Sequence, residues 1–531
     1  MKSYPIKIIT TMVVLLIVMI AMVYLYFSNL NKSTGANDLS LNAVSANAGL
    51  VFSFDHDKSF YEILKGQDLF QHILGKTKSD QLKAIREQLI QNREFTAFLD
   101  EQKVYIGFVP GAPNEVDYLI CTQLKQDVNL QQFLTSYIPK SVKSTPFKDA
   151  VKLTFSDSVA VYLGIKDRLL ILSDASEQIQ KVIGKQSPKA SNFATYIKEN
   201  TGITKNSLAN LYLNFEALPP LLKNMLNSPI SGELSVFNQR GTYATLTYNF
   251  SSEKILFNGT TTLGDANSYY KLFDNLPEQK ISINNLLPKN TANYTIYAVA
   301  DYKNWLPTLS KWLAEQKGNE RVLKNEELIA KKYGLDLKQI FPNYFKNQFV
   351  TFQLASGEKF GGIALSNGDK VGQLLLDISE EYAPDIQIFR EAGIPYMHFG
   401  EPFKKFERPY YTIIDNYLVM ANNASSIQVF LNSYRNDALL INNQDYQLLN
   451  DQLSAATLSF YINTVNSNTI FGRNLKAPYF KHYQSKSGLQ KFDAFSYQLS
   501  GDKGKFLSNV LLAAKVLPVN NTDSAALVSQ H

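Results

Sequence analysis

Asp167-Arg-Leu-Leu-Ile-Leu-Ser-Asp-Ala-Ser-Glu-Gln-Ile-Gln180 aligns without a gap to Asp415-Asn-Tyr-Leu-Val-Met-Ala-Asn-Asn-Ala-Ser-Ser-Ile-Gln428, a shift of 415 − 167 = 248 residues. Each stretch reads as a buried strand running into a short helix. Leu169 to Leu172 is a continuous apolar run, and Asp174-Ala-Ser-Glu177 has the character of a capping box, whose side chains bond the free N–H groups of a first turn. Ile179, Val182 and Ile183 then share one face at helical spacing, and Ile427, Phe430 and Leu431 repeat that face in the second stretch.

Colinear matches extend the repeat in both directions. Leu211-Tyr-Leu-Asn214 matches Phe460-Tyr-Ile-Asn463 at a shift of 249, and Leu246 to Lys254 matches Phe495 to Lys503 at the same shift. Val51-Phe-Ser-Phe-Asp55 matches Tyr297-Ala-Val-Ala-Asp301 at 246. Several matches near one period are the mark of an internal duplication, with copies over 44–275 and 287–517. In each copy a strand ends on Asp55 or Asp301, placed to cap a helix. That helix carries Trp305, Leu306, Leu309, Trp312 and Leu313 in the second copy and Phe60, Ile63 and Leu64 in the first. Strands at Val104–Val109, Tyr118–Leu124, Val159–Ile165, Phe349–Leu354 and Gly362–Leu365 follow. Leu246, Tyr248 and Phe250 alternate with Thr245, Thr247 and Asn249, so that only one face is expected to be buried. Consecutive strands with short connections favour antiparallel pairing. The expected class is α+β: two tandem units of twisted antiparallel sheet with helices on one side.

Ahead of the first copy, Ile8 to Phe27 is uncharged and mostly apolar, and about 20 such residues cross a bilayer as a helix. Lys2 and Lys7 precede it, and Tyr24 and Tyr26 stand near its far end, so the short N-terminal side is expected in the cytoplasm. A cleaved signal peptide fits less well, because the small-residue site Ala46-Asn47-Ala48 lies far beyond the apolar run. The expected plan is a cytoplasmic stub (1–7), a transmembrane anchor (8–28), a linker (29–43), the two units, and a disordered tail (518–531). The bulk of the chain then lies outside the cytoplasmic membrane, in the periplasm or beyond.

The chemistry readable from the residues is mostly exclusion. The 531 residues carry a net charge of +6 with no basic run, which argues against a nucleic-acid partner. Cys121 is the single cysteine, so there is neither an intramolecular disulfide nor a Cys-rich zinc site, and its apolar surroundings predict a buried thiol. His56, His72, His398, His482 and His531 lack metal-ligand spacing and read as surface or hydrogen-bonded residues. Ser-x-x-Lys occurs at Ser251, Ser268, Ser356 and Ser500; the first and last occupy one duplicated position between two strands and read as hairpin-turn chemistry. Gly361-Gly362 lies in a strand pattern with no phosphate-loop motif around it. The pairs Glu326-Glu327 and Glu380-Glu381 read as solvated helix faces. No catalytic, cofactor or metal residue is therefore assigned. The remaining candidate for ligand binding is the basic-aromatic stretch Phe403-Lys404-Lys405-Phe406-Glu407-Arg408-Pro-Tyr-Tyr411, in which Lys404, Lys405, Phe406 and Arg408 would meet an anionic envelope polymer or lipid headgroup.

The anchor, the polar tether after it and the paired strand-Asp-helix units resemble uncharacterised single-pass envelope proteins of Bacteroidetes-like bacteria. That resemblance implies location and host and transfers no site residue. The expected function is a non-enzymatic module that binds or scaffolds an envelope protein, glycan or lipid. The alternatives are a carrier or sensor for an apolar ligand, which needs a continuous apolar concavity, and an enzyme, which needs polar side chains converging in one copy only.

Overall fold

A computed structural model describes residues 38–55, 69–92, 95, 99, 102–184, 190–201, 209–229, 232–249, 254–316 and 320–515. The expected anchor and stub, most of the linker, the helix with Phe60, Ile63 and Leu64, His56, Phe250, Ser251, and the C-terminal tail with His531 lie outside the described residues. Among those described, no helix is long and apolar enough to cross a membrane.

The first half contributes β1 (Leu50–Asp55), β2 (Lys103–Pro110), β3 (Val116–Gln123), β4 (Lys143–Phe147), β5 (Ala150–Ser156), β6 (Val159–Lys166), β7 (Leu169–Ser173), β8 (Asn210–Asn214), β9 (Tyr243–Asn249) and β10 (Lys254–Thr262). The second half contributes β11 (Thr291–Ala298), β12 (Phe345–Leu354), β13 (Lys359–Leu365), β14 (Ser379–Ala383), β15 (Ile386–Phe389), β16 (Tyr410–Ile414), β17 (Tyr417–Ala421), β18 (Leu458–Asn463), β19 (Phe492–Asp502) and β20 (Lys505–Ala514). Every pairing is antiparallel. Following them across the first half gives the order β4-β5-β6-β7-β3-β2-β1-β8-β9-β10. The second half repeats that order from β14 to β20, each strand number raised by ten.

β10 and β20 join the halves, with Asn258 opposite Asn509 and Lys254 opposite Ala513. The ladders make Asn258 and Asn509 equivalent as well as opposite. Leu213 pairs with Ala244 and Ile462 with Phe495, so taking Leu213 as equivalent to Ile462 (462 − 213 = 249) makes Ala244 equivalent to Phe495 (495 − 244 = 251). The β9–β10 and β19–β20 ladders carry the same 251 into β10 and β20, and 258 + 251 = 509. A local two-fold axis therefore passes through the Asn258–Asn509 pair, and the junction is isologous.

These ladders correct two details of the repeat. The closing strands correspond at 251 rather than 249. The first strands correspond at 243, because Leu50 faces Leu213 while Asn293 faces Ile462. The first slip is a full side-chain period and keeps every residue on its face; the second is odd and would turn the strand over.

Helices cover both faces of the sheet, not one. On one face of the first half, Leu39–Ser45, Ser176–Ile183 and Asn192–Asn200 pack over Val51, Tyr105, Leu119, Cys121 and Ile171. The matching face of the second half carries Ala424–Arg435 and Gln444–Asn450 over Tyr294, Phe352, Val419 and Tyr461. On the opposite face a single apolar cluster runs through both halves, from Phe54, Tyr118 and Leu246 to Tyr297, Phe349 and Tyr497, covered by helices such as Tyr302–Glu315 and Leu337–Tyr344. Thr245 is buried for this reason, although alternation alone places it on an open face.

Local predictions divide similarly. Asp301 caps its helix, accepting from Asn304 N at 3.1 Å. Asp174 does not: its helix begins after Ala175 with no side-chain cap, and the carboxylate instead accepts from Tyr118 N at 2.9 Å and pairs with Lys78. Glu380 and Glu381 lie in β14, a strand, while Glu326 and Glu327 lie in the helix Glu320–Tyr333.

Candidate functional site

The position of interest lies where β9 meets the helix Asn192–Asn200 in the first half, and where β19 meets Gln444–Asn450 in the second. Ser191 and Asn443 cap these two helices in the same way, each accepting from the N–H three residues on. Matching the caps makes Phe193 equivalent to Asp445 and Tyr196 equivalent to Leu448. In the sheet, Tyr243 lies opposite Asn214 and Ala494 lies opposite Asn463, so these two are equivalent as well.

In the first half the three positions are rings, with Tyr243 in contact with the other two. Tyr243 stacks on Phe193 with centroids 5.5 Å apart and sits 5.0 Å from Tyr196, whose hydroxyl accepts from Thr245 Oγ1 at 3.1 Å. In the second half the same positions hold a carboxylate, an aliphatic side chain and a methyl group. The result is a cleft of about 520 Å³, floored by Ala494, Ala513 and Ala514 and bordered by Asp445, Leu448 and Asp493.

Its walls are packed rings. Tyr461 stacks on Tyr294 at 4.7 Å, and the Tyr446 and Tyr294 hydroxyls are 2.9 Å apart. Burial raises both the Tyr446 and Tyr461 hydroxyls above the ordinary phenol range, so they remain protonated. The amides nearby are largely committed to the fold: Asn463 accepts from Asn466 N at 2.8 Å, and Asn466 Nδ2 donates to the carbonyls of Lys289 and Thr291.

Asp493 reaches the cleft through a β-bulge. Phe492 faces Ala514 and Ala494 faces Ala513, leaving Asp493 as the extra residue with no partner across the ladder. A regular strand would send Asp493 and Ala494 to opposite faces, whereas here both line the same cleft. Neither the Asp493 nor the Asp445 carboxylate makes a hydrogen bond or ion pair among the described residues. Burial, then the Asp445 charge, pushes the Asp493 carboxyl above its usual range, against the opposing pull of Lys515. Lys289 is the one cationic side chain lining the cleft among the described residues. No group of three or more potential metal ligands occurs among them.

The basic-aromatic segment buries its two phenylalanines and leaves Lys404 and Arg408 exposed. Phe403 and Phe406 are fully buried, 5.9 Å apart, and pack over Gly361. Lys404 lies 3.7 Å from Glu401 and over the Tyr396 ring, Lys405 lies over Phe406, and Arg408 Nε donates to the Phe389 carbonyl at 2.8 Å. The four candidate residues are close together, but the aromatic one faces the core. Residue motifs missed the cleft, whose signal is comparative: three aromatic positions of one half become Asp445, Leu448 and Ala494 in the other. No protein-family model, curated protein or solved structure matches the chain.

Proposed function

We propose that the chain is a membrane-anchored envelope protein with a non-enzymatic binding role, in which the second half holds the ligand site. On this reading the two halves are diverged copies of one unit, Ile8 to Phe27 holds the chain to the cytoplasmic membrane, and the folded part lies outside the cytoplasm. The observation that carries the binding role is the opened position: the first half places its own rings there, while the second leaves a cleft edged by two carboxylates that have no hydrogen bond or ion pair among the described residues. Natural interiors are close-packed, so the replacement of packed rings by smaller side chains around an open volume suggests an external occupant. Ser433, the serine that lines the cleft, donates to Val429 O within its own helix at 3.1 Å, which favours binding over nucleophilic catalysis. The carrier alternative has less support, because the large apolar cluster between sheet and helices is filled by packed rings such as Phe273, Trp305, Phe349 and Phe399.

The test is native mass spectrometry of the full chain, purified in mild detergent, compared with Ala494→Tyr, which restores the ring of the first half. Wild type should carry a small molecule that the variant lacks. Identical bare masses for both proteins, under conditions that preserve non-covalent complexes, would remove the reading.

A further inference from the structure

The first half also indicates what shape belongs in the cleft. Tyr243 places a flat ring there, nearly parallel to Phe193 at an interplanar angle of 15°. Replacing that residue with Ala494 deletes the ring and keeps the surrounding strands, and apolar cavities made by such deletions accept ring-shaped ligands. The second change adds charge. Phe193 becomes Asp445, and Asp493 stands where the first half has Thr242, so two carboxylates border the vacated volume.

We propose that the cleft selects a ligand bearing a flat ring and a cationic group, the ring replacing that of Tyr243 and the cation lying against Asp445 and Asp493. This rests on the reading of the cleft as a ligand site. The charged side chains facing the volume are Asp445 and Asp493, with Lys289 at the border and Lys515 just past the end of β20. Both lysines leave the Asp493 carboxyl above its usual range, so a cation placed between Asp445 and Asp493 relieves a charge that Lys515 only partly offsets. Leu448, half exposed, is placed to cover the ring edge.

Titration calorimetry on the full chain in detergent, at low and at physiological salt, uses three probes. Phenethylamine offers ring and cation, phenylacetate a ring with an anion, and butylamine a cation alone. Phenethylamine should bind about tenfold more tightly than either of the others, the scale of one charge-assisted contact. Asp445→Asn with Asp493→Asn should erase its advantage over phenylacetate, and Ala494→Tyr should erase its advantage over butylamine. Both Asp variants alter side chains at the cleft border and keep the apolar floor, so they remain informative if Ala494→Tyr misfolds. Equal or tighter binding of phenylacetate or butylamine, or a preference unchanged by the double Asn variant, overturns the proposal. A native ligand lost from Ala494→Tyr, together with no preference for phenethylamine, would leave the cleft as a site and reject this chemistry alone. No native ligand and no probe binding would reject both.

Discussion

His398 lies wholly inside the protein, on the short helix Ile394–Phe399, with its ring 4.8 Å from Phe341 and no hydrogen bond to either ring nitrogen among the described residues. Glu326 Oε1 is 3.8 Å away, but its charge is shared with Lys338 at 3.2 Å. Burial first, and then Lys338, lowers the His398 pKa from 6.5 to about 3. The unfolded chain therefore takes up a proton below pH 6.5 that the folded protein refuses until about pH 3. Stability should fall as pH drops through that window, by up to about 1.4 kcal/mol per pH unit. His398→Leu should flatten the slope and stay within about 1 kcal/mol of wild type at pH 7, because an unpaired buried polar group is removed. Urea denaturation at pH 7 and pH 5 checks both statements; equal slopes for the two proteins would contradict them. A lone histidine between Met397 and Phe399 gives no sequence signal for this burial, whereas Cys121 in its apolar strand does, and it is fully buried. Gly361 illustrates a further residue-scale constraint. A Cβ there would lie 2.6 Å from Phe403 Cε1, so Gly361→Ala should lose about 1–3 kcal/mol by overpacking, measured in the same denaturation experiment.

At the scale of elements, the two aspartates that look like helix caps separate by what surrounds them. Asp301→Ala removes a solvent-exposed cap and should cost about 1 kcal/mol. Asp174→Ala leaves the Tyr118 N–H without its acceptor and Lys78 without its partner beneath the helix, and should cost more, about 1–3 kcal/mol. Equal losses in thermal denaturation would mean that the two carboxylates act alike. Sequence periodicity was sufficient to find strands with a buried run, such as Leu169–Ser173 and Phe345–Leu354, and the buried helix face of Ile427, Phe430 and Leu431, because burial repeats along an element. It missed Lys143–Phe147, exposed along its length, and took Glu380-Glu381 of Ser379–Ala383 for a helix face. Register depends on insertions outside the matched segments. At a shift of 249 Tyr243 falls against Phe492, aromatic against aromatic, and the repeat looks preserved; at the ladder shift of 251 it falls against Ala494. That two-residue difference is what concealed the cleft, and the bulge at Asp493 is a local backbone feature with no motif of its own.

At 531 residues the whole molecule is well past the size at which chains commonly divide into independently stable domains. Here the boundary between halves is built from the same material as the interior. Asn258 and Asn509 pair across the axis, and Thr261 Oγ1 lies 2.7 Å from both the Tyr497 hydroxyl and Ser508 Oγ. Tyr269 and Phe273, which follow β10, pack on Tyr297 and Trp305, and Trp312 Nε1 donates to Asn267 O at 2.8 Å. Neither half can lose this surface without exposing a strand edge and several aromatic rings. The described residues should therefore unfold in one calorimetric transition, with the van't Hoff enthalpy close to the calorimetric enthalpy. Phe273→Ala removes a fully buried ring and should lower stability by about 3–5 kcal/mol, moving the single transition down as a unit. Two resolved transitions in wild type would show that the halves are thermodynamic domains despite the continuous sheet. A split appearing only in Phe273→Ala would instead identify this aromatic contact as the link that couples them.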